Sequence, residues 1–279
     1  MPYQHELPLS RLSISDIRRE AIRRGLVASV GSTTIWRWLT EDAIRPWAHR
    51  TWIFPRDPLF EEKAGRVLDL YAGTWNGRKL GENDFVISAD EKTSIQARQR
   101  INPSRPPGSG RPMLVEHEYK RLGAWAYMAA WDVRRAKVFG LCEQSNGIDA
   151  FDRLVKQVMS REPYRSARRV YWIVDNGSSH RGQQCVDRIR AKWPTITLVH
   201  TPVHASWLNQ VEIYFSVVQR KVLTPNDFSS IEDLENRLLQ FQRYYEQAAS
   251  PFEWKYTRSD LAKLLSKLKV AENAKAYAA

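Results

Sequence analysis

The sequence predicts an α/β domain preceded by a small helical unit. Three observations carry that prediction. From residue 84 to residue 200, short apolar runs such as "FVISAD" and "YWIVD" alternate with stretches of helical periodicity, the pattern of a sheet covered by helices. The first 55 residues instead hold two short helical patterns separated by a glycine-containing turn, with no strand between them. The 279 residues are 43% hydrophobic and 27% charged and include 11 tryptophans, enough apolar bulk for a sizeable core and a composition that excludes a disordered chain.

In "SISDIRREAIRRG" Ser13 is placed to cap a helix, Asp16 sits at its third position and Gly25 ends it, while Ile14, Ile17 and Ala21 form the apolar stripe. A second helix is predicted in "SVGSTTIWRWLTEDA", with Ser32 as cap and Ile35, Trp38 and Leu39 repeating at helical spacing. Thr33, Thr34 and Arg37 then face outward. The pair fits a helix-turn-helix that would touch DNA through those three residues, and it fits an ordinary helical hairpin equally well. After the break "RTWIFPRDP", residues 58–71 read as a connecting helix.

From residue 84 the strands begin. "FVISAD" is a buried run ending in Asp90, "INPSRPPGSGRP" is a Pro/Gly/Arg loop, and "AWAYMAAWDVRRAKVFGLC" is a hairpin turning near Asp132 and Val133. A helix over 149–160, a strand over 170–174, a helix over 182–193 and a strand over 195–200 follow. "SWLNQVEIYFSVVQRKVL" is a long amphipathic helix, and residues 231–248 and 259–270 are helical. The domain layout that results is a helix-turn-helix unit at 1–55, a connecting helix and linker at 56–83, a catalytic α/β domain at 84–223 and a helical extension at 224–279.

Charge narrows the function classes. There are 43 Lys and Arg against 31 Asp and Glu, a net charge of +12, which favours polyanionic partners: nucleic acid or an anionic membrane surface. No 18-residue apolar run and no basic-then-apolar leader is present, so a membrane partner is not expected. Cys142 and Cys185 fit neither a CxxC motif nor a disulfide framework, and a reducing cytoplasm is the expected compartment.

Asp90 and Asp175 each follow an apolar strand, where open α/β sheets gather their ligands. Glu212 lies on a helix whose buried stripe is Leu208, Val211, Phe215, Val218 and Val222, and a helical wheel puts it on the rim of that stripe, with Asn209 and Ser216 on the same flank. Singly, each acid has an ordinary explanation, since acids after strands commonly serve as turn or capping residues and helical glutamates are usually solvated. Jointly, three converging carboxylates repel one another unless divalent cations neutralise them. An all-oxygen donor set selects Mg²⁺ or Mn²⁺, and two such ions ~3.5–4 Å apart support phosphodiester cleavage.

The segments "VISADEKTSIQAR", "YWIVDNGSSHRG" and "HTPVHASWLNQVEIYFSVVQRKVL", with "WRWLTEDAIRPWAHRTWIFPRDP" upstream, resemble the mariner-related bacterial insertion-sequence transposases of the DDE class. The Asn-x-x-Glu helix motif is the most specific of these. The resemblance implies a ribonuclease H-like mixed sheet flanked by helices, and a metal-binding catalytic triad of Asp90, Asp175 and Glu212. It implies two Mg²⁺ or Mn²⁺ ions per active site, double-stranded DNA (transposon terminal inverted repeats and target DNA) as partner, a homodimer, and a cytoplasmic, nucleoid-associated bacterial protein. In this chain 84 residues lie between the first pair and 36 between the second, the latter slightly more than is usual in the family. Relatives carry a further helix-turn-helix ahead of the one read here, so the DNA-binding unit is expected to be abbreviated.

Around the triad, Asn176 matches the family motif and is read as orienting the Asp175 carboxylate, as a DNA contact, or as a turn residue. His180 is a candidate phosphate contact or aid to proton transfer, Asn209 on the flank of Glu212 is a candidate DNA contact, and Arg98, Arg100, Arg105 and Arg111 around the Pro/Gly loop are suited to gripping DNA or a second subunit, Arg105 and Arg111 foremost. Two rival functions stand beside the transposase. One is a shortened non-catalytic copy that binds DNA as a repressor or dominant-negative partner. The other is a different ribonuclease H-like nuclease, separable by its cleavage of four-way junctions rather than transposon ends.

Overall fold

The computed structural model describes residues 7–42, 45, 55–177 and 182–276, from 269 onward by backbone alone. The chain divides into two compact units, Met1–Phe54 and Pro55–Ala279.

In the first unit, α1 (Ile14–Arg23) is opened by the expected capping box. Asp16 N–H donates to Ser13 Oγ at 3.2 Å and Ser13 N–H donates to Asp16 Oδ2 at 3.0 Å. Gly25, at φ +69°, ends the turn after it. Helix α2 (Ser32–Glu41) differs in detail from expectation, because Gly31 is the cap and Ser32 the first helical residue. Ile35 is its one buried side chain, whereas Trp38, expected on the same stripe, is 47% exposed. Thr33 and Arg37 are exposed and Thr34 is half-buried; Arg37 lies 4.0 Å from Glu41.

The second unit begins with α3 (Phe60–Tyr71), then a two-stranded ribbon, β1 (Thr74–Trp75) and β2 (Arg78–Lys79), turned by Asn76 and Gly77, both at positive φ. An Asn-Gly pair is suited to such a tight hairpin. Next come β3 (Asp84–Arg100), β4 (Tyr119–Asp132), β5 (Val138–Glu143), α4 (Ile148–Met159), β6 (Arg169–Val174), α5 (Gln183–Lys192) and β7 (Ile196–His200). The unit closes with α6 (Val211–Lys221), α7 (Ile231–Glu246) and α8 (Arg258–Ala276). The five long strands form one sheet in the order β5-β4-β3-β6-β7. β3, β4 and β5 run antiparallel as a meander, while β6 and β7 run parallel to β3.

Alternation along the central strands sends side chains to two cores. Val86, Tyr171 and Ile173 pack with Val67, Leu208, Val211, Phe215, Leu234 and Leu261 from α3 and α6–α8 or just ahead of α6. Phe85, Ile87, Ala89, Val170, Trp172 and Val174 pack with Phe151, Leu154, Val158 and Ile189 of α4 and α5 on the other face. Strand β3 does not stop at Asp90, as the apolar run led one to expect. It continues for ten residues through a bulge between Lys92 and Ile95, where three β3 residues span two of β4 and Ser94 takes φ +55°. The extra residue flips the alternation: before it Val86 and Ser88 face α6, after it Ile95 and Ala97 do.

The arginine-bearing segment 101–118 is an ordered excursion between β3 and β4. Arg105 and Leu114 exchange backbone hydrogen bonds of 2.8 and 3.0 Å, and Gly108 and Arg111 close the tip with two of 3.0 Å. Arg98 and Arg100, read from sequence as part of this loop, belong to β3 and lie over the Tyr119 ring at 4.5 and 5.4 Å. Among the described residues no helix is long and apolar enough to cross a membrane.

Candidate active site

The register of β3 and β6 brings the first two acids together. Asp84 pairs with Arg169 and the ladder runs in step to Ser88 and Ile173. Two residues further along each chain stand Asp90 and Asp175, on the sheet face that carries α6. β6 ends at Val174 while β3 goes on, so Asp90 sits where its neighbouring strand stops and the sheet opens. In this respect the expectation that Asp90 terminates its strand is corrected: the opening is made by the end of β6, not of β3. Glu212 comes from the first turn of α6, which packs over β3 and β4.

Asp90 is 8% exposed, and Asp175 and Glu212 are half-buried. Burial pushes the Asp90 carboxyl up to about 8, reinforced by the charge of Asp175 and, less strongly, of Glu91 and Glu212. Burial also raises Glu212, with Lys92 opposing the shift and Asp175 and Glu91 adding to it. The three acids therefore share one electrostatic neighbourhood that favours a bound proton or cation. Glu91, which alternation turns to the opposite face, accepts from Asn146 Nδ2 at 3.0 Å through one oxygen while the other is buried without a hydrogen-bond partner.

Among the described residues no three acidic, histidine or cysteine side chains close on a common point at metal-ligand distance. Like charges drawn together without a cation are expected to splay, and it is the donor chemistry that fits a hard divalent ion: oxygen donors only, a buried carboxylate with no basic side chain hydrogen-bonded to it, and a half-buried second and third acid.

Asp90 is held from two sides. Glu91 N–H donates to its Oδ1 at 2.9 Å and Asn209 Nδ2 to its Oδ2 at 3.2 Å. Asp175 Oδ1 accepts from Gly177 N–H at 2.6 Å. Asn209, expected on the rim of the helix beside Glu212 as a candidate DNA contact, is 1% exposed. The wheel placed it there by extending the helix backward, but residues 206–208 form a 3-10 turn, Asn209 is extended and α6 starts only at Val211. Asn176 ties the exits of two strands together, its Nδ2 donating to the Thr201 carbonyl at 2.7 Å. Arg105 and Arg111 are exposed. His180 lies outside the described residues.

Three participants escaped sequence reading. Ser88 is the lone hydroxyl in "FVISAD", a signal available but unused. Tyr71 and Lys92 carried none, since only the fold brings the end of α3 and the β3 bulge to α6.

The family described as DDE superfamily endonuclease matches residues 86–235, more than half of the chain. The chain belongs to that family. Its fold is the ribonuclease H-like fold of solved mariner structures. The Mos1 mariner paired end complex with Mn aligns with a TM-score of 0.52 at 12% identity, over 86% of this chain and 75% of that one. A pre-cleavage Mos1 transpososome gives 0.52 at 12% identity, over 94% and 78%. The mariner Mos1 paired end complex with Mg gives 0.50 at 10% identity, over 85% and 73%. No curated protein sequence matches the chain.

Proposed function

We propose that the chain is a DDE transposase that cuts DNA at transposon ends and joins the freed 3′-hydroxyl to target DNA. The observation that carries the reading is the placement of Asp90 and Asp175 side by side on the sheet face covered by the helix of Glu212, inside a DDE-family domain, with Asp90 buried and its carboxyl pushed up. Mos1 structures with Mn and with Mg support a divalent requirement, and Mos1 paired-end assemblies support a dimer acting on two DNA ends. We assign Asp90, Asp175 and Glu212 as ligands of two Mg²⁺ or Mn²⁺ ions, with residues 1–55 as the DNA-binding unit, 56–83 as connector, 84–223 as catalytic domain and 224–279 as helical extension. With DNA as its substrate, the location we propose for the protein is the cytoplasm, at the nucleoid.

When bound, the ions would activate the attacking oxygen and stabilise the leaving one in an in-line displacement. The chain's own part is to hold the acids. β3 and β6 fix Asp90 and Asp175 from below, and α6 presents Glu212 from above. The first test is Mg²⁺-dependent nicking of a plasmid carrying the reading frame with its flanking DNA. Products ending in 3′-hydroxyls at the element's borders support the reading; cleavage confined to four-way junctions would replace it with a resolvase.

Arg105 and Arg111 face solvent on an ordered hairpin, and both are assigned to phosphate binding. Replacing both by alanine is expected to weaken DNA binding and to flatten its salt dependence, by roughly 0.9 in the log–log slope for each phosphate that is no longer neutralised. A salt titration of affinity measures this, and an unchanged slope removes both residues from the interface.

A further inference from the structure

A buried polar chain joins the helix of Glu212 to Asp90, and every donor in it points one way. Val211 N–H, at the first position of α6, donates to Ser88 Oγ at 2.8 Å. The Ser88 hydroxyl in turn donates to Asn209 Oδ1. Asn209 Nδ2 then uses its two hydrogens on the Ala89 carbonyl at 2.9 Å and on Asp90 Oδ2 at 3.2 Å. The amide cannot be flipped without setting its oxygen against a carbonyl and a carboxylate. Ser88 is 0% and Asn209 1% exposed, so water does not substitute for these bonds.

We propose that Asn209 is a positioning residue. With Ser88 it sets the orientation of the Asp90 carboxylate and its spacing from Glu212, and thereby how tightly the site takes a divalent ion and how well it tolerates Mg²⁺. The proposal rests on the reading of Asp90 and Glu212 as metal ligands. The chain runs from the backbone of the residue next to Glu212 to an oxygen of Asp90 in three hydrogen bonds, so the strand acid and the helix acid move as one piece. Groups that orient metal ligands are commonly worth 10–100-fold in affinity or activity. Mg²⁺ demands nearly ideal octahedral geometry, so loosening Asp90 penalises Mg²⁺ more than an ion with softer demands.

The start of α6 does not depend on Asn209 alone. Tyr71 donates its hydroxyl to the Leu208 carbonyl at 2.6 Å and accepts from Gln210 N–H at 3.1 Å, an independent clamp that should keep an Asn209→Leu protein folded. Ser88→Ala is the second variant, since it leaves the amide in place and removes only what aims it.

The test uses the full chain without DNA, titrated with Mn²⁺ and followed by the EPR signal of the free ion, and then cleavage supported by Mg²⁺ or by Mn²⁺. The expected result is Mn²⁺ affinity about tenfold weaker in Asn209→Leu and weakened to a lesser degree in Ser88→Ala, with Mg²⁺-supported cleavage falling at least several-fold more than Mn²⁺-supported cleavage. Unchanged Mn²⁺ affinity in both variants, or equal losses with the two ions, overturns the proposal. Asp90→Asn separates it from its foundation. If that variant keeps metal affinity and cleavage, the assignment of Asp90 fails; if it loses both while Asn209→Leu behaves as the parent, only the positioning role fails. Should Asn209→Leu not fold, Ser88→Ala decides alone by the same readouts.

Discussion

Replacing Asp175 by alanine is expected to abolish Mg²⁺-dependent strand cleavage while fold and DNA affinity stay close to those of the parent chain. Asp175 lies just past β6, beyond the last residue of the buried ladder, so its side chain contributes nothing to either hydrophobic core. Its charge does act on Asp90 and Glu212, raising both carboxyls. Removing it relieves repulsion in the metal-free protein but also removes its bond from Gly177 N–H, so thermal unfolding without metal should move little in either direction. If Asp175 is a ligand as proposed, its loss removes several kcal/mol of transition-state charge stabilisation. At about 1.36 kcal/mol per decade this is a drop on the order of 10³-fold or more in rate. Nicking of end-bearing plasmid, binding of the same DNA in a salt series and thermal unfolding are measured on one preparation. Cleavage within tenfold of the parent would exclude Asp175 from the chemistry.

The positions of the two aspartates were legible in sequence because each stands at a change of pattern, and that of Glu212 because a helical wheel sets it on the rim of a buried stripe. In "YWIVDNGSSH" an apolar strand gives way to small polar residues, and the structure shows β6 ending at Val174. The stripe Leu208, Val211, Phe215, Val218 and Val222 proved buried throughout, as helical periodicity required. Two features were not legible. The polar stretch "EKTS" after Asp90 looked like the end of a strand, yet the backbone continues to Arg100 because pairing with β4 persists through the bulge; antiparallel pairing depends on a partner distant in sequence, which no local pattern reveals. Asn209 was misplaced for the opposite reason. Local periodicity was carried one turn too far, into residues that the bonds to Ser88 and Tyr71 hold out of helical geometry. In both cases a long-range partner overrode the local signal.

Asp90→Asn should remove cleavage and at the same time stabilise the metal-free protein at neutral pH, with a pH dependence that identifies the cause. The Asp90 carboxyl is pushed from its usual 3.8 up to about 8 by burial and by Asp175. An acid raised in the folded state binds its proton more tightly there than in the unfolded chain, so its favourable contribution is complete below about pH 4 and is lost as pH rises toward 8. Across that window the metal-free parent should lose stability to this one group at a slope approaching ~1.4 kcal/mol per pH unit, and the asparagine variant, which carries no charge at 90, should lack that slope. Glu212 and Asp132, also raised, remain in both proteins, so the difference between the two curves reports Asp90 together with its coupling to Asp175. Adding Mg²⁺ at pH 8 should reverse the order: an ion that binds only the folded state stabilises it by mass action, and the parent has the carboxylate to hold it while the variant does not. Denaturant unfolding of both proteins from pH 5 to pH 8, with and without Mg²⁺, measures the crossing. Parallel curves without metal would show that Asp90 is not held at a cost that a cation relieves.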